Sequence, residues 1–316
     1  MCSRYAAGMR GMLVAAGFGT RLDPLTRELP KPALPVANRP VAWFACDQLA
    51  RHGVRELVAN THHLAATLER ELAAVCPPGL QLRFLHEPAI LGTGGGVRNA
   101  WSATRTEPLI AFNAKLVFGP DLTRALAEHR ACGALATLVL RPCPPDSAFA
   151  PVWADQQGRV HAIRAHEPPF AGLQRYMWTG VQVLEPRAFS DLPAQGDIFE
   201  HAYLPWLARG ERIHGVIDHA PWIDVGVTPR HYLDANLAFA RGELSWPGLP
   251  EPRDGVLAAP SAIIGDGARL DQVVLGAGAV VEPGAKLTRV VLWPGAHATT
   301  TLQDSILTTN GTIVRV

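Results

Sequence analysis

Two short stretches near the start of the chain carry residue types suited to binding phosphate. Ala15-Ala16-Gly17-Phe18-Gly19-Thr20-Arg21-Leu22 follows a short apolar run, and Pro30-Lys31-Pro32 comes soon after. Glycines let successive backbone N–H groups turn towards an anion. A guanidinium is a planar fork matched to phosphate oxygens, and a lysine is a point charge. The prolines on either side of Lys31 restrict its backbone. A lone G-x-G marks only a tight turn, whereas G-x-G-x-R after a strand, with P-K-P beyond it, reads as phosphate capture. A second glycine-rich stretch, Leu91-Gly92-Thr93-Gly94-Gly95-Gly96, follows Glu87-Pro88. Its glycines would let a base approach the backbone closely. A carboxylate at Glu87 accepts two N–H donors from guanine but only one from uracil or thymine, which leans the reading towards guanine.

These residues must be held by the elements around them. Gly11–Ala16 reads as a buried strand and Gly17–Pro40 as a long functional loop. Val41–His52 has helical spacing, Glu56–Asn60 is a strand, Leu64–Val75 a helix and Gln81–Leu85 a strand. A helix opens at Gly94, and strands at Leu109–Phe112 and Ala134–Leu140 flank a helix at Leu122–Arg130. This alternation predicts a Rossmann-like α/β domain whose ligand lies at the carboxyl ends of the strands. From Arg141 to about Leu192, short strands at Val152-Trp153, Val160–Arg164 and Trp178–Leu184 predict a smaller mixed sheet over that site. A helix at Ile198–Ala208, a strand at Ile213–Ile217 and a helix at Tyr232–Ala240 complete the domain.

Leu244–Pro252 carries three prolines and reads as a linker. Beyond it, Ile264–Arg269, Leu275–Val280, Val281–Lys286 and Leu292–His297 repeat an aliphatic residue followed by small residues and glycine. That hexapeptide period predicts a short left-handed parallel β-helix of about 18 residues per coil. Two five-residue steps, Leu270 to Leu275 and Leu287 to Leu292, predict turns or bulges. The expected organisation is residues 1–243, a linker at 244–253 and a β-helix at 254–316. The open last coil would expose unpaired strand edges, so self-association through the β-helix is expected.

The chain has 316 residues, enough for a full core, and its 48% apolar and 18% charged residues exclude a disordered or fibrous chain. Lys+Arg 29 against Asp+Glu 28 lacks the basic surplus of a nucleic-acid binder. The five scattered cysteines, with no C-x-x-C, argue against a disulfide framework and for a reducing compartment. No apolar run reaches the ~18 residues that span a bilayer, and Met1–Arg10 has no leader-like apolar core. A cytoplasmic location without membrane or nucleic-acid partners is expected.

With these motifs the chain resembles the sugar-1-phosphate nucleotidylyltransferases, the mannose-1-phosphate guanylyltransferase branch in particular, over roughly Arg10 to Ala240. The resemblance implies that a sugar-1-phosphate attacks the α-phosphorus of a nucleoside triphosphate, with Mg²⁺ balancing charge, to give a nucleotide-sugar and pyrophosphate. It implies that Ala15, Ala16, Gly17, Gly19, Thr20 and Arg21 bind the nucleotide with Glu87, Gly92, Thr93, Gly94 and Lys115. Lys31 would stabilise charge on the α-phosphate, and Arg21, Lys31 and Asp224 would form the catalytic set. Asn113, Glu167, Thr179 and Gly180 would line the sugar pocket, and Asp224 would hold the metal.

Two positions depart from the family pattern. Pro168 stands where the family has the lysine of Glu-Lys-Pro, and Phe112-Asn113-Ala114-Lys115 stands where it has Asn-Gly-Asp. Lys115 therefore replaces the second metal aspartate with a group of opposite sign. Either the lysine takes over part of the cation's role in an active enzyme, or the chain is a catalytically impaired paralogue that binds nucleotide or nucleotide-sugar.

Overall fold

The structure is a computed structural model that describes residues 10–101, 107–143 and 147–316. The reading of the first ten residues and Cys2 lie outside them, apart from Arg10. β1 (Arg10–Val14) leads into the glycine loop, where Pro35–Val36 (β2) and Arg39–Pro40 (β3) form a small ladder. Then come α1 (Val41–Arg51), β4 (Glu56–Thr61), α2 (Ala65–Ala73), β5 (Gln81–His86) and α3 (Gly92–Trp101). β6 (Leu109–Asn113), β7 (Leu116–Phe118), α4 (Leu122–Cys132) and β8 (Ala136–Pro142) follow. β9 (Pro151–Ala154), β10 (Val160–Ile163) and β11 (Gln174–Leu184) precede α5 (Leu204–Ala208), β12 (Ile213–Ile217), β13 (Trp222–Asp224) and α6 (Pro229–Ala240).

One nine-stranded sheet runs in the order β10-β9-β11-β6-β1-β4-β5, with β8 beside β11 and β12 beside β8. β4, β1, β6 and β5 are parallel, as the alternating pattern requires, while β11 runs antiparallel to β6, β8 and β9. The separate small sheet expected over the site does not form. β11 is long enough for its second half to pair with β6 and its first half with β9, so the middle segment extends the main sheet. α3 packs on β1 and β4, and Met12, Trp101, Ala111, Leu138 and Trp206 close the core with almost no exposure. Fully burying a side chain such as Met12 or Leu138 contributes about 1.5–3 kcal/mol.

The described residues divide into two compact units: one lies within residues 10–17, 42–65 and 76–222, the other within 18–41, 66–75 and 223–316. The second unit therefore joins the loop after Gly17 and α6 to the C-terminal coils. There β14 (Val256–Ala258), β16 (Arg269–Leu275), β18 (Lys286–Leu292) and β20 (Leu302–Leu307) stack in parallel. β15 (Ile263–Ile264), β17 (Val280–Val281) and β19 (His297–Ala298) form a second parallel ladder. Val256 pairs with Val273 and Val273 with Val290, so one coil takes 17 residues. Val273, Leu275, Val281, Leu287, Val290 and Leu292 fill the interior, an arrangement consistent with a β-helix. The expected phase breaks fall at Gln272 and Arg289, which take positive φ of 55° and 54° inside β16 and β18.

α6 packs on β16 and β18, and the loop is tied to the same frame. Trp293 Nε1 donates to Tyr232 Oη at 2.8 Å, and Tyr232 Oη donates to the Pro35 carbonyl at 2.6 Å. Ala37 N donates to Asn236 Oδ1 at 3.0 Å. The last coil is not the open end. β21 (Ile313–Arg315) folds back antiparallel on β20, and exposed aliphatics lie at both ends, Ile263 at 60% and Ile264 at 47% on β15 and Ile313 at 42% on β21.

Candidate functional site

The end of β1 shows where the phosphate motif's backbone donors go. Ala15 N and Ala16 N donate to Asn60 Oδ1 at 2.7 and 3.3 Å, and Gly17 N donates to the Ala15 carbonyl at 2.9 Å. Three N–H groups that the sequence offered to an anion are thus satisfied inside the protein. Asn60, buried at the end of β4, donates from Nδ2 to Glu87 Oε1 at 2.8 Å, and Leu91 N donates to Glu87 Oε2 at 3.1 Å. Glu87 is 1% exposed. The expectation that Glu87 reads a base is therefore corrected: the carboxylate is desolvated and engaged at both oxygens.

The glycines after it also have a structural employment. A Cβ on Gly94 would stand 2.6 Å from Pro193 Cγ, and one on Gly95 would stand 2.5 Å from the Ala194 carbonyl oxygen. Gly94 N donates to the Gly196 carbonyl at 2.9 Å, and a Cβ on Gly92 would meet that carbonyl too. Gly92 and Gly94 thus let α3 pack against the 193–196 segment, which is a different task from admitting a base.

Thr93 faces a cavity. Its hydroxyl accepts from Ile198 N at 2.9 Å and donates to Asp197 Oδ2 at 3.4 Å, and Asp197 pairs with Arg164 at 2.9 Å. The Arg164 guanidinium lies over the Phe199 ring at 5.3 Å, and Trp178 meets the same ring edge-on at 4.8 Å. With Phe149 these side chains line a cavity of about 190 Å³. Trp178 is the neighbour of Thr179, which the sequence placed on the sugar. Thr179 is instead buried, and its hydroxyl donates to the Val139 carbonyl at 2.7 Å. Adjacent residues of a strand face opposite ways, so Trp178 is the one that reaches the cavity. Gly180, at φ 96°, leaves the space that Asn113 fills at the end of β6, and Glu167 is exposed on the loop after β10. Ala114 N donates to the Val14 carbonyl at 3.2 Å and Lys115 N to the Asn113 carbonyl at 2.9 Å, which fixes a tight turn with Lys115 half-buried.

In the other unit, the two halves of the phosphate motif meet. Gly19 has φ 73°, and a Cβ there would lie 3.2 Å from Lys31 Cβ and 2.9 Å from Thr26 Cγ2. Thr26 Oγ1 donates to the Gly19 carbonyl at 3.2 Å, and Leu22 N and Asp23 N close a turn on the carbonyls of Gly19 and Thr20. Glycine at 19 therefore supplies both the left-handed backbone and the room for the lysine stem. Thr20 and Arg21 are exposed, and Lys31 is half-buried. Asp224 is 7% exposed, and its Oδ1 accepts from Gly226 N at 2.8 Å.

Comparison with known proteins converges on one family. The family described as Nucleotidyl transferase matches residues 10–242. The chain belongs to the nucleotidyl transferase family. It is 31% identical to a mannose-1-phosphate guanylyltransferase of Mycobacterium tuberculosis, over 84% of this chain and 79% of that protein. It is 26% identical to a UTP–glucose-1-phosphate uridylyltransferase of Synechocystis, over 71% of this chain and 62% of that one. The crystal structure of HddC from Yersinia pseudotuberculosis complexed with GMP-PN shares the fold, with TM-score 0.61 at 20% identity, over 73% of this chain and 99% of that one. The resemblance drawn from the motifs is borne out.

This nucleotidyl transferase offers little of its own to a metal. Among the described residues there is no group of three or more His, Cys, Asp or Glu that could hold an ion. Asp224 supplies one carboxylate with one oxygen already committed, and the position two residues after Asn113 is Lys115. One aspartate with a committed oxygen does not fit a two-aspartate Mg²⁺ site. No helix among the described residues is long and apolar enough to cross a membrane.

Proposed function

We propose that this nucleotidyl transferase joins a nucleoside triphosphate, GTP by preference, to a sugar-1-phosphate of the mannose-1-phosphate kind. The seating of Gly19 against Lys31 carries this reading, because it brings the turn bearing Thr20 and Arg21 to the lysine that the motif requires. On this reading the exposed Gly19–Arg21 turn receives the triphosphate and Lys31 stabilises the α-phosphate. An oxygen of the sugar phosphate attacks the α-phosphorus in line, the bond from that phosphorus to the β-bridging oxygen breaks, and pyrophosphate leaves. Lys31 and Arg21 balance the charge gathering in that transition state. The cavity beside Thr93, walled by Trp178 and Phe149 with Arg164 and Asp197 at its polar side, takes the sugar ring, and Asn113 and Glu167, which do not line it, carry no part of this reading.

Guanine preference rests on the relatives named as guanylyltransferases, since buried Glu87 no longer supports it. The test is pyrophosphate release from GTP, UTP and ATP, each paired with mannose-1-phosphate and glucose-1-phosphate. GTP with mannose-1-phosphate is expected to exceed UTP with glucose-1-phosphate at least tenfold in kcat/KM. A reversed order would replace the substrates and keep the reaction. Binding without release by any pair would favour the impaired paralogue, a reading whose support is Lys115.

Self-association is part of the same proposal, through the first coil, where Ile263 and Ile264 are exposed. A mass above the monomer is expected by light scattering at micromolar concentration, falling to the monomer in Ile263→Lys. A monomeric wild type ends this part of the proposal.

A further inference from the structure

A chain of buried hydrogen bonds runs from a carboxylate to the backbone of the phosphate loop. Glu87 Oε1 accepts from Asn60 Nδ2 at 2.8 Å, and Asn60 Oδ1 accepts from Ala15 N at 2.7 Å and Ala16 N at 3.3 Å. Glu87 is 1% and Asn60 2% exposed. The direction of the chain is forced by its ends. A carboxylate only accepts and a backbone N–H only donates, so the amide between them has one usable orientation. Leu91 N holds the second carboxylate oxygen at 3.1 Å, and Glu87 N donates to the Thr61 carbonyl at 2.8 Å, which latches the ends of β4 and β5 together. The fourth glycine of the motif, Gly96, belongs to the same device. A Cβ on Gly96 would lie 2.7 Å from Asn60 Nδ2 and 3.1 Å from Glu87 Oε1, so glycine there makes room for the relay.

We propose that Glu87 and Asn60 are positioning residues that fix the Ala15–Gly17 backbone leading into the Gly19–Arg21 phosphate turn, so that a carboxylate which does not touch the nucleotide sets its affinity. The inference rests on the nucleotidyl-transfer reading above. Glu87 polarises the Asn60 amide and strengthens its oxygen as an acceptor for the loop. The neutral amide passes on that polarity without placing a negative side chain next to the loop. Asparagine at 60 is therefore required in a way that aspartate, of the same shape, would not satisfy.

The test uses the full chain and two probes, GTP and inorganic tripolyphosphate, titrated by calorimetry. Tripolyphosphate has no base, so it separates loop positioning from base reading. Glu87→Gln removes the charge and leaves one acceptor for two donors, Asn60 Nδ2 and Leu91 N, and is expected to weaken both probes by the same factor, about tenfold or more, as for loss of a hydrogen bond to a charged group. Asn60→Asp sets two carboxylates against each other, so the pair must share a proton, and its affinity is expected to fall as pH rises and the proton is lost. Asn60→Asp with Glu87→Gln restores the order of donors and acceptors, with the Gln amide donating to the Asp, and should bind more tightly than either single variant. Hydrogen exchange of the Ala15 and Ala16 amides, followed without ligand, should quicken at least tenfold in Glu87→Gln and recover in the double variant.

A variant that weakens GTP and leaves tripolyphosphate unchanged would make Glu87 a base reader and overturn the relay. Unchanged exchange, or a double variant no better than the singles, would overturn it as well. If the wild type binds neither probe, the nucleotidyl-transfer reading fails and the relay falls with it, whereas binding by the wild type with no effect in the variants leaves that reading standing and removes only the relay.

Discussion

Lys31→Ala is expected to lower the rate of nucleotidyl transfer by about 10²–10³-fold, the usual cost of removing one preorganised donor from a transition state. The charge that forms on the α-phosphate appears only as the new bond forms, so the loss should fall on kcat, with KM for the nucleotide raised less than tenfold. The lysine is held for this work. It opens the short turn Lys31–Ala33, Pro30 and Pro32 flank it, and its stem lies against Gly19. Lys31→Met separates the stem from the charge, since it keeps the packing against Gly19 and drops the ammonium. It should fold as the wild type does and be as slow as Lys31→Ala. Lys31→Arg should not restore the rate, because a planar fork on a longer stem does not present its charge where a compact ammonium did. Pyrophosphate release under saturating substrates measures all three, with thermal unfolding as the control on structure. Lys31→Met retaining a third or more of the wild-type rate would remove Lys31 from the chemistry.

Much of this arrangement was legible because it is local. The apolar run before Gly17 became β1, Ile213–Ile217 became β12 with the same bounds, and the hexapeptide region became short parallel strands with positive φ at Gln272 and Arg289. Periodicity and turn chemistry are properties of neighbouring residues, and a sequence displays them directly. What the sequence concealed depends on partners far away in the chain. Nothing in Trp178–Leu184 says that the strand begins at Gln174 and carries β9 and β6 on one edge, so the middle segment read as a sheet of its own. Glu87 is the sharper case. A Glu before a Pro and a glycine-rich stretch has the profile of an exposed reader of bases, and only its distance from Asn60, 27 positions earlier, makes it a buried anchor. Thr179 shows the same limit on one strand, where alternation named a pair of faces and could not say which of them met the cavity and which met Val139. The hexapeptide pattern predicts an open last coil because it has no term for a strand that folds back, as β21 does.

Lys115 is where the chain departs furthest from its family's pattern, and its replacement should change what the protein needs in order to bind. The turn that presents it is fixed by Ala114 N on the Val14 carbonyl and Lys115 N on the Asn113 carbonyl, and both bonds are made by the backbone, so substitution at 115 leaves the turn intact. Lys115→Ala is expected to weaken GTP by about tenfold or more, since a charge-assisted contact to phosphate contributes about 1.5–3 kcal/mol. Lys115→Asp changes the local charge by two units and returns a carboxylate to the position that the family's second metal aspartate occupies. Without Mg²⁺ it should bind GTP more weakly than Lys115→Ala, because an anion then faces the phosphates. With Mg²⁺ it should recover, since a divalent ion is held by a carboxylate and phosphate oxygens and repelled by an ammonium. The wild type should show the opposite habit, with GTP affinity that depends little on Mg²⁺. Calorimetric titration of GTP into the three proteins, with Mg²⁺ and with a chelator, measures this directly, and a pyrophosphate-release assay beside it shows whether the restored carboxylate also raises turnover. Affinity that is unchanged in both variants would mean that the Lys115 side chain does not meet the nucleotide. Brisk, strictly Mg²⁺-dependent turnover by the wild type would mean that a lysine at this position does not keep the ion out, and that Asp224 with the phosphates suffices to hold it.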